Sequence, residues 1–123
     1  MSRRQARGAK AHKAGHLAES LAALWLMLKG YRILARRYRT PVGEIDLVIR
    51  RGPVIAYVEV KSRPTRDQAL HAVPPKTRAR IARAAAWYSQ RLNMTGKTER
   101  FDLVAISPWR LPHHLVNAWE LDL

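Results

Sequence analysis

The stretch "GEIDLVIRRGPVIAYVEVKSR", residues 43 to 63, constrains the fold more than any other part of this chain. Two runs of apolar β-formers flank an Arg-Gly-Pro turn, so it reads as a hairpin of strands 43–50 and 55–62 turning at Gly52-Pro53. With Arg51 and Val54 bracketing the turn, Ile45 faces Val60, Leu47 faces Val58 and Ile49 faces Ala56. That face is wholly apolar and is predicted to pack on the core. On the other face Val48 meets Tyr57, Asp46 meets Glu59 and Glu44 meets Lys61.

Carboxylates in half-buried strands cost energy unless something pairs with them, and the chain has only nine Asp and Glu against 23 Lys and Arg. Directly opposed side chains have Cβ atoms about 4.5–5.5 Å apart, so Asp46 and Glu59 repel unless a cation or a proton lies between them. Mg²⁺ is held by one or two carboxylates plus water and substrate oxygens. Such an ion can polarise a phosphate and generate hydroxide. Lys61, on the same face, can then hold the attacking water or neutralise the phosphorane. An exposed sheet face with ordinary cross-strand pairs, Glu44 with Lys61 among them, is the plainer alternative.

A formal charge of +14 implies attraction to polyanions, nucleic acid first and an anionic membrane surface second. At 123 residues, 47% of them hydrophobic, the chain is one globular domain, divided here into a basic flexible arm, 1–12, and a domain, 13–123. It has no cysteine, hence no disulfide or thiolate site, which suits a cytoplasmic location. The basic start followed by "LAESLAALWLML" loosely mimics a signal peptide. However, Glu19 interrupts the apolar run and Lys29-Gly30 close it well short of a bilayer span.

The pattern is helical from His12 to Lys29, with Leu17, Leu21, Leu24 and Leu28 on one stripe of a core helix and Gly30 as C-cap. Glu19 lies on the opposite side near Ala22, Ala23 and Leu26, either covered and metal-facing or simply exposed. Residues 31–39 read as a strand, 63–73 as a loop, and Pro74-Pro75 as the start of a helix running to about Met94. Residues 99–107 form another strand, and a short final strand lies around Leu115–Trp119. On the second helix Ile81, Ala84, Ala85, Tyr88 and Leu92 form the core face. Lys76, Arg80, Arg83, Trp87 and Arg91 share a stripe able to track a phosphate backbone, with Trp87 stacking on a base or sugar. Arg63 joins this candidate nucleic-acid-binding set.

The blocks "AESLAALWLMLKGYRILARRYR", "GEIDLVIR", "YVEVKSR" and "RFDLVAI" together resemble the bacterial YraN-like family. Asp46 followed thirteen residues later by Glu59-Val60-Lys61 resembles the split signature of the PD-(D/E)XK nuclease superfamily, archaeal Holliday-junction resolvases included. The resemblance spans roughly residues 15 to 107. It implies an α/β, restriction-endonuclease-like core (α-β-β-β-α-β), a mixed sheet of four to five strands flanked by helices, and Mg²⁺-dependent phosphodiester hydrolysis, with Mn²⁺ able to substitute. It further implies that Asp46, Glu59, the Val60 carbonyl and Glu19 hold the metal and that Lys61 is the catalytic lysine. Two positions depart from the family pattern: Ala18 where Gly is favoured, and Arg37 where Asn is favoured.

The resulting expectation is an Mg²⁺-dependent endonuclease acting on nucleic acid, DNA before RNA and including branched DNA in repair or recombination. A non-catalytic nucleic-acid-binding module of the same fold is the alternative. No small-molecule cofactor or membrane is expected, and a homodimer is compatible. His12, His16 and Glu19 share a helical face at a spacing compatible with zinc, a weaker pattern. His113 and His114 read as surface residues, His71 as a loop residue without partners, and Arg100–Asp102 as a structural salt bridge. No Gly-rich phosphate loop or nucleophile elbow appears, so neither ATP use nor acyl transfer is supported.

Overall fold

The computed structural model describes the backbone of residues 3–92 and 96–119, and side chains from residue 15 onward within those ranges. The elements in chain order are α1 (Arg3–Leu28), β1 (Arg32–Thr40), β2 (Gly43–Arg51), β3 (Val54–Ser62), α2 (Arg66–Leu70), α3 (Pro75–Arg91), β4 (Thr98–Ile106) and β5 (His113–Trp119). The five strands form one mixed sheet in sequential order, antiparallel except for the parallel β3–β4 pair. That pair needs a crossover, and α2 and α3 supply it. The architecture is the expected α/β one, a mixed sheet flanked by helices.

The hairpin register is as the sequence predicts from the turn up to Leu47↔Val58, including Val48↔Tyr57 and Ile49↔Ala56. Both faces of the sheet are packed, however, not one. Leu47, Ile49, Ala56, Val58 and Val104 meet Ala22, Ala23 and Leu26 of α1. Val48, Ile55, Tyr57, Phe101 and Leu103 meet Ile81, Ala84, Ala85 and Tyr88 of α3 on the other side. Leu92, expected in that core face, is exposed just beyond the helix. The expected helix end near Met94 lies outside the described residues.

Helix α1 begins at Arg3, nine residues before the expected start at His12. Its core stripe is also not the one read from the leucines. Ala18, Ala22, Ala23 and Leu26 are buried, whereas Leu17, Leu21, Leu24 and Leu28 are exposed. Alanines let the helix axis approach the sheet closely, and the fully buried Leu26 contributes about 1.5–3 kcal/mol. At the C-terminus Tyr31 N–H reaches Leu26 O and Gly30 N–H reaches Met27 O, a Schellman closure with Gly30 at φ 93°.

Residues 63–73 are not wholly loop. Thr65 Oγ1 accepts from Gln68 N–H and starts α2, and His71 Nδ1 donates to Asp67 O at its end, so His71 does have a partner. Between β2 and α3 the backbones nearly touch: a Cβ at Gly43 would stand 2.7 Å from Arg80 O. Only glycine allows that approach, which ties the acidic strand to the basic helix.

Candidate active site

Beyond Leu47↔Val58 the β2–β3 ladder stops, and Asp46 takes over its role. Its Oδ2 accepts a hydrogen bond from Val60 N–H at 2.8 Å, so a side chain replaces the missing backbone partner. Face alternation breaks at the same point. Ile45 and Leu47, two residues apart, belong to clusters on opposite faces of the sheet. Next door on β1, Arg37 has φ 49°. The expected direct pairing of Asp46 with Glu59 and Glu44 with Lys61 is therefore replaced by a local parting of strands that gathers the carboxylates at its mouth.

Asp46 and Glu59 stand together at that mouth, lining the same cavities. Burial, and then the Asp46 charge, push Glu59 up to about 7, while Lys61 Nζ at 3.1 Å from its Oε1 holds it down. Burial also raises Asp46, against the lowering pull of the Val60 N–H and Lys61. Lys61 thus pairs along its own strand with Glu59, and Glu44 pairs with Arg39 of β1 at 3.8 Å. Glu19, expected either covered or exposed, is covered. Burial raises its carboxyl above the usual range, opposed by Arg37 at 3.5 Å. Its Oε1 is buried without a hydrogen-bond partner.

Two cavities meet over these acids. One, of about 340 Å³, brings together Glu19, His16, Arg37, Arg39, Lys61 and Val60 with Glu44, Asp46 and Glu59. The other, of about 260 Å³, shares those last three residues and is walled by Thr77, Arg80 and Ile81 of α3. The structure therefore unites Glu19, Asp46, Glu59, Val60, Lys61 and Arg80 of the predicted set. Lys76, Arg83 and Arg91 lie exposed on α3 outside both cavities, the Arg91 guanidinium 4.0 Å above the half-buried Trp87 ring. Arg63 is exposed just past β3. Sequence reasoning missed Arg37, Arg39 and Thr77. A signal for Thr77 did exist: it precedes Arg80 by three residues, the spacing that puts both on one helical face.

The donor set suits a hard divalent cation. Two adjacent carboxylates, both destabilised as anions, and a third, Glu19, whose buried Oε1 has ion-pair neighbours but no hydrogen bond, are oxygen donors only, as Mg²⁺ prefers. Among the described residues no group of three or more His, Cys, Asp or Glu is placed to hold a metal ion by itself. Mg²⁺ needs no such group, because water and substrate oxygens complete its shell. The His12 side chain of the zinc alternative lies outside the described residues.

The farther end of the sheet is a different matter. The His114 side chain, expected at the surface, is buried with Nε2 2.7 Å from Asp102 Oδ2, and the Arg100–Asp102 salt bridge is present at 2.9 Å. No described helix is long and apolar enough to cross a membrane.

Fold and site thus define an α/β protein with a carboxylate-lysine centre between cationic walls. Residues 18–106 match the group described as "Uncharacterised protein family UPF0102", and the chain belongs to that family. It is 50% identical over 117 residues to UPF0102 protein amb4503 of Paramagnetospirillum magneticum, covering 91% of each chain. It is 52% identical to a UPF0102 protein of Caulobacter vibrioides, covering 94% of each, and 51% identical to one of Sinorhizobium medicae, covering 89% of this chain and 91% of the relative.

Proposed function

We propose that this protein is a metal-dependent phosphodiesterase of the PD-(D/E)XK type, cutting nucleic acid, DNA in the first place. The observation that carries this reading is the pair of mutually repelling carboxylates at the parting of β2 and β3, Glu59 buried and Asp46 half-buried, with Lys61 at 3.1 Å from Glu59. Asp46, Glu59 and the Val60 carbonyl would hold Mg²⁺ or Mn²⁺, with Glu19 behind them. When bound, the ion supplies Lewis acidity toward a phosphate oxygen.

The chain's own groups do the rest. Lys61, only partly exposed, places a cation where a phosphate gains charge or where the attacking water must be held. Arg37 and Arg39 on one side and Arg80 on the other flank the acids and draw a phosphate backbone across them. The exposed cations of α3 extend that attraction. Affinity should therefore fall steeply with salt, and a binding curve flat across salt concentrations would sink this part of the reading.

The direct test is cleavage of labelled single-stranded, duplex, flap and four-way-junction DNA, and of RNA, with Mg²⁺ or Mn²⁺. Lys61→Ala should slow cutting by about 10²–10³-fold, and Asp46→Asn should abolish it. Binding without cutting, unchanged in both variants, would replace the enzyme by a non-catalytic nucleic-acid-binding module.

A further inference from the structure

Four leucines of α1 lie exposed outside both core clusters. Leu17, Leu21, Leu24 and Leu28 are 63%, 42%, 52% and 73% exposed, and Met27 beside them is 50% exposed. Their spacing of four, three and four residues is that of alternating d and a heptad positions. This is the narrow seam of a coiled coil, not the broader stripe by which a helix packs on a sheet. Helix α1 already has its sheet-facing stripe, the alanines and Leu26.

We propose that this seam is the contact between two copies of the chain, packed as an antiparallel helix pair. Area favours a second copy. The five side chains expose roughly 500 Å², near the upper end of what a monomer leaves uncovered. Doubled across a two-fold axis, this reaches roughly 1,000 Å², the least a specific interface needs. The pattern is also self-complementary: with the axis between Leu21 and Leu24, Leu21 of one copy meets Leu24 of the second, and Leu17 meets Leu28.

Charge selects both the contact and its direction. The helix positions flanking the seam, Ser20, Trp25 and Met27, carry no charge of their own, and the cation beside them, Arg36, is held on Ser20 Oγ at 2.9 Å. A parallel pair would lay the basic starts of both helices, from Arg3 to Lys13, side by side, whereas an antiparallel pair sends them in opposite directions. A lipid surface is the competing occupant. It would accept a broad apolar face and does not require a two-residue-wide seam.

The chain has no cysteine, so single introduced thiols report on the seam cleanly. Sedimentation should give twice the chain mass for the wild type. Leu21→Gln with Leu24→Gln, both solvent-exposed in one copy, should weaken association by about a hundredfold or more while circular dichroism stays unchanged. Oxidising a mixture of Leu21→Cys and Leu24→Cys chains should yield cross-linked dimer well above either variant alone, and this arm leaves most of the seam intact. A single chain mass at every concentration would overturn the proposal. So would a dimer indifferent to the glutamines, cross-linking as strong in each variant alone as in the mixture, or a monomer that binds anionic vesicles through the leucines. None of these readouts depends on nuclease activity.

Discussion

Two aspartates on this sheet do the same backbone job and end in opposite electrostatic states. Asp46 accepts Val60 N–H where β2 leaves β3, next to Arg37 at φ 49°. Asp102 accepts Asn117 N–H at the register shift between β4 and β5, and Asn117 itself has φ 54°. Around Asp102 every need is met. Arg100 donates from Nε at 2.9 Å and Nη2 at 3.0 Å and also reaches Tyr31 Oη, while His114 Nε2 donates at 2.7 Å. Lys29 Nζ donates to His114 Nδ1, which leaves the ring proton on Nε2 for Asp102. Burial works against the Asp102 charge, yet His114, Arg100 and the Asn117 N–H together hold its carboxyl below the usual range. Around Asp46 burial wins, and the Glu44 charge adds to it. Burial alone therefore does not mark function; an ionisable cluster left short of partners does.

The largest way to break this contrast is to remove Asp102. Asp102→Ala strands the Arg100 guanidinium, the His114 Nε2 proton and the Asn117 N–H in a fully enclosed site. It should cost about 3–5 kcal/mol, measured by urea unfolding. Asp46→Asn, which keeps an acceptor for Val60 N–H and removes a repelling charge, should stay within about 1 kcal/mol. Equal losses at the two positions would mean that both clusters are structural.

The next contrast lies in pH. Glu59 is raised from 4.5 to about 7, so its contribution to stability is complete below about 4.5 and is lost as pH rises through 7. The swing is on the order of 3 kcal/mol at most. Asp102 is lowered, so its contribution is present above its unfolded value near 3.8 and is lost as pH falls through its lower folded value. Metal-free wild type should therefore weaken on the alkaline side because of Glu59 and on the acid side because of Asp102. Glu59→Gln should shrink only the alkaline limb. Added Mg²⁺ should shrink it too in wild type and do less in the variant. Asp46 and Glu19, also raised, leave a smaller limb behind, so an alkaline limb undiminished by Glu59→Gln would remove Glu59 as a source.

A smaller effect tests whether the acidic strand and the basic helix are mechanically joined. Gly43→Ala drives a Cβ to 2.7 Å from Arg80 O, a backbone atom that cannot swing aside. It should cost about 1–3 kcal/mol and move Arg80 away from Glu44 and Asp46, weakening nucleic-acid binding in a salt titration. Stability and binding both unchanged would show the helix free to shift.

Much of this was legible in the chain because strands impose strict rules. The Gly52-Pro53 turn fixed the hairpin register, and Glu59-Val60-Lys61 stood out as charges in an apolar run. The parting at Asp46 was not legible, since it shows only where strands meet: Asp46 takes the Val60 N–H of β3, and Arg37 of β1 stands beside it at φ 49°. Helix α1 misled for another reason: periodicity reveals apolar stripes but not which one turns inward, and small alanines outcompeted leucines for the sheet. Thr65 and Gln68 did spell a capping box for α2. His114 gave no signal, because its partners Lys29 and Asp102 are distant in sequence and meet only through the fold.

The finest test compares the two left-handed residues. Asn tolerates φ near +50° better than any other non-glycine residue apart from Asp, since its short amide can bond locally. The Asp102 cluster has Asn117 at that place, but the Asp46 cluster has Arg37. Arginine there accepts backbone strain and gains a guanidinium 3.5 Å from Glu19. Arg37→Ala and Arg37→Asn both remove that cation, so the difference between them isolates the backbone. Asn should be the more stable by about 1 kcal/mol, measured by urea unfolding. Both variants should bind nucleic acid less tightly than wild type, because Arg37 lines the cavity over the acids. Should Ala and Asn prove equally stable, the turn at residue 37 would be imposed by Asp46 and its strand, with the side chain at 37 free to serve the site.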